Sequence, residues 1–176
     1  EESDFYGAAG DISISKKDIE DIRNGALITD IDACRVPTSL DSIKRTLESI
    51  GHRGLFILSL SGANFAEDIP ELLALLNRTP DVVFGNNLEI SRITQRMDLA
   101  GDIKTVFPTS RLVAITQGEA GSILRFREQI FSVPLVYVPK EKVIDLTGAG
   151  DVFTGTMLAS LSESSYRDWS EEEILK

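Results

Sequence analysis

The chain has 176 residues, 42% apolar and 26% charged: enough for one domain with a core, too short for two full-sized ones. Eighteen Lys and Arg against 28 Asp and Glu give a net charge of -10, the wrong balance for a non-specific nucleic-acid or anionic-membrane binder. No apolar run approaches the roughly 20 residues that span a bilayer, and the start, EESDFYGAAG, carries no basic, apolar leader, so a cytoplasmic protein is expected.

Along the chain, short β-rich runs alternate with amphipathic helical stretches. Residues 26–31 read as a strand, and Leu40, Ile43, Leu47 and Ile50 recur at helical spacing. Residues 55–60 are a nearly all-apolar run that suits a buried parallel strand. Ile69, Leu72, Leu73 and Leu76 form another helical stripe, 82–84 a short strand, 88–96 a helix, and 103–107 a weaker one. A strand follows at 112–116, and 122–126 and 129–133 flank the polar pair Arg127-Glu128 as a β-hairpin. The last long helix, 149–161, places Val152, Phe153, Met157, Leu158 and Leu161 on one broad face. This order predicts an α/β domain: a mainly parallel sheet, helices on both faces, and an antiparallel hairpin. In such folds ligands bind beyond the carboxyl ends of the strands.

Single residues exclude several chemistries. Cys34 is the only cysteine, so there is no internal disulfide, and a reducing compartment is the default. His52 is the only histidine, which removes His-pair zinc sites and leaves a Ser-His-Asp triad resting on one residue at a predicted helix-to-strand corner. The run Glu171-Glu172-Glu173 after Ser170 reads as the acidic first turn of a helix.

The most informative segment is Asp145-Leu146-Thr147-Gly148-Ala149-Gly150-Asp151, which follows the apolar Val143-Ile144 and opens a helix. Glycines let backbone approach a ligand, and a helix start leaves N–H groups unpaired, so the segment can cradle an anion. A tight turn followed by an acidic first helical turn would explain the residues equally well. A carboxylate beside a phosphate cradle, however, makes chemical sense if it takes a proton from a hydroxyl attacking that phosphorus. Gly150 and Gly155 have Walker A spacing, but Thr156-Met157 stands where Lys-Ser/Thr is required, and Phe153 replaces the glycine of a dinucleotide fingerprint.

The stretch DLTGAGDVFTGTMLA closely resembles the C-terminal signature of the PfkB (ribokinase-like) carbohydrate and nucleoside kinases, D-T-x-G-A-G-D followed by a small-residue helix. Leu146 stands where the family usually has Thr, which bears on a side-chain contact and not on the backbone cradle. The resemblance implies a three-layer ribokinase-like fold, with Gly148, Ala149 and Gly150 as the anion hole and Asp151 as catalytic base. It also implies that Thr147 contacts the nucleotide and that Asp145 borders a monovalent-cation (K⁺) loop.

Two upstream motifs stand in the family's order. Asn86-Asn87-Leu88-Glu89 is by itself a capping-box variant. It also resembles the family's N-x-x-E, in which Asn86 and Glu89 would help place Mg²⁺ through water beside the phosphates, and both readings can hold. Thr116-Gln117-Gly118-Glu119-Ala120-Gly121 is by itself a strand-to-hairpin turn. It resembles the family's T-x-G-x-x-G, by which Thr116, Gly118 and Gly121 would meet the nucleotide. Residues 58–65 resemble a turn of the adenosine-kinase-like branch, and 7–9 a short turn nearer the family's mid-chain.

The resemblance covers nearly the whole chain but only the later, ATP-binding part of the family. It implies that residues 1–176 form one partial α/β domain without the N-terminal substrate and lid region and without the C-terminal end. The implied function is ATP-dependent phosphorylation of a hydroxyl on a small sugar or nucleoside, with Mg²⁺, without nucleic acid or membrane, and as a homodimer in the full-length protein. A non-catalytic nucleotide-binding or interaction module, or an inactive fragment of such a kinase, is the alternative; it has no need of Asp151.

Overall fold

The structure is a computed structural model and describes residues 17, 28–32, 55–60, 79–96, 103 and 107–162. Six strands form one sheet in chain order: β1 (Ile28–Asp32), β2 (Leu55–Ser59), β3 (Val82–Asn86), β4 (Leu112–Thr116), β5 (Ser122–Phe126) and β6 (Gln129–Val133). β1 to β4 are parallel, and β5 and β6 continue the sheet as an antiparallel hairpin. Two helices are described: α1 (Asn87–Arg96), between β3 and β4, and α2 (Ala149–Ser162).

The apolar runs explain why the parallel strands sit in the middle. Leu55, Phe56, Ile57 and Leu58 are all buried, as are Leu112, Val113, Ala114 and Ile115, so both faces of the sheet are covered. One face carries Leu55, Ile57, Val82, Phe84, Leu112, Ala114, Leu124 and Phe126, which pack with Phe153, Met157, Leu158 and Leu161 of α2. Phe84 and Phe153 meet edge to face, centroids 6.3 Å apart. α1 lies on the other side, where its Glu89 carboxylate stands against Gly85 of β3. The helices therefore flank both faces, as the sequence pattern predicts.

The strand ends remote from α2's N-terminus are closed by polar groups bonded to one another. Asp81 accepts the Phe56 N–H on its carboxylate at 2.9 Å, donates its own N–H to the Phe56 carbonyl at 2.8 Å, and accepts the Arg111 N–H at 2.8 Å. Ser110 Oγ donates to the Pro80 carbonyl at 2.6 Å. Arg125 is buried and donates from Nη2 to the Phe107 carbonyl at 2.7 Å and from Nη1 to the Arg127 carbonyl at 3.1 Å. Burial pulls its guanidinium below the ordinary value, and Glu128 opposes the shift.

Some expectations are refined. β3 runs to Asn86 because Gly85 and Asn86 continue the ladder opposite Ile115 and Thr116. Val152 is not on the apolar face of α2: it is 69% exposed, while Phe153, Met157, Leu158 and Leu161 make the contacts. Val143-Ile144 forms no strand; the chain between β6 and α2 is irregular apart from one 3₁₀ turn at Lys140–Lys142. Ile103 lies in a turn and Phe107 at a bend, so neither described end of 103–107 is helical. The stripes at 40–50 and 69–76, the turn at 7–9, the segment 61–65, Cys34, His52 and the acidic run 171–173 lie outside the described residues.

Candidate active site

The carboxyl ends of β2, β3 and β4 meet the N-terminus of α2 around a cleft of about 400 Å³. Ser59, Leu60, Gly85, Asn86, Glu89 and Thr116 line it from the sheet side. Gly148, Ala149, Gly150 and Asp151 line it from the helix side, with Leu146 beside them.

The turn into α2 follows from its residues. The Ala149 N–H donates to the Leu146 carbonyl at 3.1 Å, closing a four-residue turn with Gly148 third at φ 79°. A type II turn needs positive φ there, which favours glycine. Asp145 Oδ1 accepts the Thr147 N–H at 2.9 Å, an Asx turn that fixes the entry. The backbone N–H and then the hydroxyl of Thr147 hold the Asp145 carboxyl below the usual carboxylate value. The first helical bond runs from the Val152 N–H to the Gly148 carbonyl at 2.9 Å.

This leaves the N–H groups of Gly148, Gly150 and Asp151 without an acceptor among the described residues. The Ala149 N–H, one of the three the resemblance assigns to an anion hole, is engaged inside the turn. Asp151 sits in the first turn of α2 with its side chain exposed to the cleft. Positive helix terminus, unpaired donors and carboxylate thus share one place.

Across the cleft, Asn86 and Glu89 form the reciprocal cap. Asn86 Oδ1 accepts the N–H of Leu88 at 2.9 Å and of Glu89 at 3.0 Å, and Glu89 Oε2 accepts the Asn86 N–H at 2.8 Å. Glu89 is buried yet lines the cleft. The Thr116 hydroxyl donates to the Gly85 carbonyl at 3.4 Å, and Gln117 Nε2 donates to Asn87 Oδ1 at 3.3 Å, linking the turns after β3 and β4.

The structure therefore brings together Asn86, Glu89, Thr116 and Gly148 to Asp151. Gly118, Gly121, Asp145 and Thr147 do not line the cleft. At Gly121, φ is 89° and a Cβ would fall 2.2 Å from the Val133 carbonyl oxygen, so the hairpin itself demands glycine there. Ser59 and Leu60, from the 58–65 segment, line the cleft as well; Gly85 and Phe153 line it without having been assigned to it. Their signal was position alone: strand ends and a helix's first turn.

Among the described residues no three His, Cys, Asp or Glu side chains are grouped to hold a metal, and no helix is long and apolar enough to cross a membrane. One buried carboxylate facing a cleft fits Mg²⁺, which keeps its waters and takes few protein ligands beside substrate phosphates.

Comparison with known proteins agrees with this geometry. Over 127 residues the chain is 27% identical to adenosine kinase of Schizosaccharomyces pombe, covering 65% of this chain and 37% of that protein. Over 93 residues it is 31% identical to cytidine kinase of Thermococcus kodakarensis, covering 52% of this chain and 33% of that protein. The fold matches the crystal structure of Anopheles gambiae adenosine kinase in complex with P1,P4-di(adenosine-5) tetraphosphate at TM-score 0.78 and 21% identity, over 96% of this chain and 53% of that one. It matches an uncharacterized sugar kinase from Pyrococcus horikoshii in complex with ATP at TM-score 0.65 and 20% identity, over 83% of this chain and 47% of that one. The chain thus spans about a third of the curated relatives, 37% and 33%, and about half of the solved structures, 53% and 47%. The model of the pfkB family carbohydrate kinases matches residues 17–176, and with its cleft, its glycine turn and its mixed sheet this chain belongs to that family.

Proposed function

We propose that the protein carrying this chain transfers the γ-phosphoryl group of ATP to a hydroxyl of a nucleoside or sugar. The observation that supports it best is the joint placement of three unpaired N–H groups and the Asp151 carboxylate at the N-terminus of α2. The Asp151 carboxylate accepts the proton of the attacking hydroxyl. The new O–P bond forms as the bond from the γ-phosphorus to the bridging oxygen breaks, and ADP leaves with the negative charge. The Gly148, Gly150 and Asp151 amides stabilise charge on the transferred group without reorganising. When bound, Mg²⁺ neutralises phosphate oxygens, and Glu89 would hold one of its waters. Were K⁺ bound, the Asp145 carboxylate would border it, and no step depends on it.

Nucleosides are the favoured acceptors, because the curated relatives are named adenosine and cytidine kinase. A nucleotide-binding module without catalysis leaves Asp151 without a task. The test is ADP formation by the full-length protein with Mg-ATP and a panel of nucleosides and sugars. Acceptor-dependent ADP formation supports the reading, and its absence across the panel contradicts it.

A further inference from the structure

We propose that Gly85 is a positioning residue for Glu89: the side chain it lacks leaves the space beside which the Glu89 carboxylate is seated. Glycine weakens a strand interior, so a glycine there calls for a close approach or a bend to explain it. Gly85 has no positive φ, so its backbone conformation does not demand glycine. Space does. A Cβ at Gly85 would stand 2.8 Å from Leu60 Cδ1 and 3.2 Å from Glu89 Oε2.

Neither neighbour can give way freely. Leu60 is fully buried, and its N–H donates to the Phe84 carbonyl at 2.8 Å, which pins its backbone to β3. Glu89 Oε2 is the oxygen that accepts the Asn86 N–H at 2.8 Å. The carboxylate therefore has the Asn86 amide as its hydrogen-bond donor and the bare Cα of Gly85 beside it, and Leu60 stands against the same Cα. A methyl group at Gly85 displaces Leu60 Cδ1 and presses on the Glu89 oxygen that holds the Asn86 amide. Groups that orient a metal's ligands typically change metal affinity about 10–100-fold when altered. The inference rests on the proposed function only in giving Glu89 a metal to position.

The test measures Mn²⁺ binding to the nucleotide-loaded full-length protein by electron paramagnetic resonance, alongside Tm and nucleotide affinity without metal. Gly85→Ala should weaken Mn²⁺ binding on the order of tenfold with metal-free nucleotide affinity unchanged. A merely structural glycine would lower Tm and leave Mn²⁺ affinity at the wild-type value, which would overturn the proposal. Should Gly85→Ala fail to fold, Gly85→Ala combined with Leu60→Ala carries the test, because it removes the clash with Leu60 Cδ1 and keeps the methyl group against Glu89 Oε2. Weaker Mn²⁺ binding supports the inference there, and wild-type affinity overturns it. Glu89→Gln separates the two levels. Wild-type Mn²⁺ affinity in that variant removes the metal role of Glu89 and this inference with it. Weakened binding in Glu89→Gln but not in Gly85→Ala overturns the inference alone.

Discussion

The two ends of the same parallel strands are built on opposite terms. At one end Asp81, Ser110 and Arg125 tie the backbone of β2, β3 and β4 to the neighbouring turns, and among the described residues Arg125 Nε is the one buried side-chain donor there without a partner. At the other end three N–H groups at the entry to α2 have no acceptor among the described residues, and glycines stand at the cleft. Both ends rest on the same buried core, so the difference is not one of packing. It teaches that polar satisfaction closes one end, Arg125 Nε apart, and is withheld from a row of backbone amides at the other, where a phosphate would complete it.

Variants at the two ends should therefore fail in different ways. The largest expected effect is on the shared core: Leu112→Ala removes a fully buried side chain and should cost about 2–5 kcal/mol, read as a fall in denaturation midpoint. Next comes Gly150→Ala at the open end. A Cβ there meets nothing within 4 Å, so the fold has room for it, and alanine suits a helix better than glycine. Tm should hold or rise while phosphoryl transfer falls on the order of 10²-fold, because the added methyl narrows the cradle. A fall in both would blur the contrast.

Arg125→Met tests the closed end. It strips the partners from the Phe107 and Arg127 carbonyls and should cost about 1–3 kcal/mol with turnover per folded molecule unchanged. The smallest effect is the pH response of the entry turn. The Asp145 carboxyl is held below its ordinary value, so its contribution is present above that value and lost as pH falls through the lowered one. The Thr147 amide resonance should therefore move only below about pH 4, and not at all in Asp145→Asn.

Much of the sheet was legible because its signals are local. β4, β5, β6 and the hairpin turn fall where alternation and the polar pair Arg127-Glu128 place them, and α2 opens at its glycine turn. The misreadings are tertiary. Val152 belongs by type to an apolar stripe, but 100° of helical rotation from Phe153 turns it away from the sheet. Val143 and Ile144 are apolar by type, yet both are exposed beside the turn. Arg125 was hidden in an apolar run, because one of its two carbonyl partners, Phe107, comes from a bend 18 residues upstream.

In the site, motif letters pointed to Asn86, Glu89 and Asp151, which all line the cleft, but not to which N–H groups stay unpaired among the described residues. That Ala149 closes the turn while Gly148, Gly150 and Asp151 keep their N–H groups depends on one φ angle at Gly148. That Gly121 serves the hairpin depends on a carbonyl of β6. Spacing carries neither fact.

The most direct measurement is single-turnover phosphoryl transfer by the full-length protein with Asp151→Asn, with ATP affinity taken on the same sample. The account predicts transfer slowed by about 10²–10⁴-fold, with ATP affinity and Tm near wild type. Transfer at the wild-type rate would contradict the central claim that the open end of the sheet places Asp151 to take the hydroxyl proton.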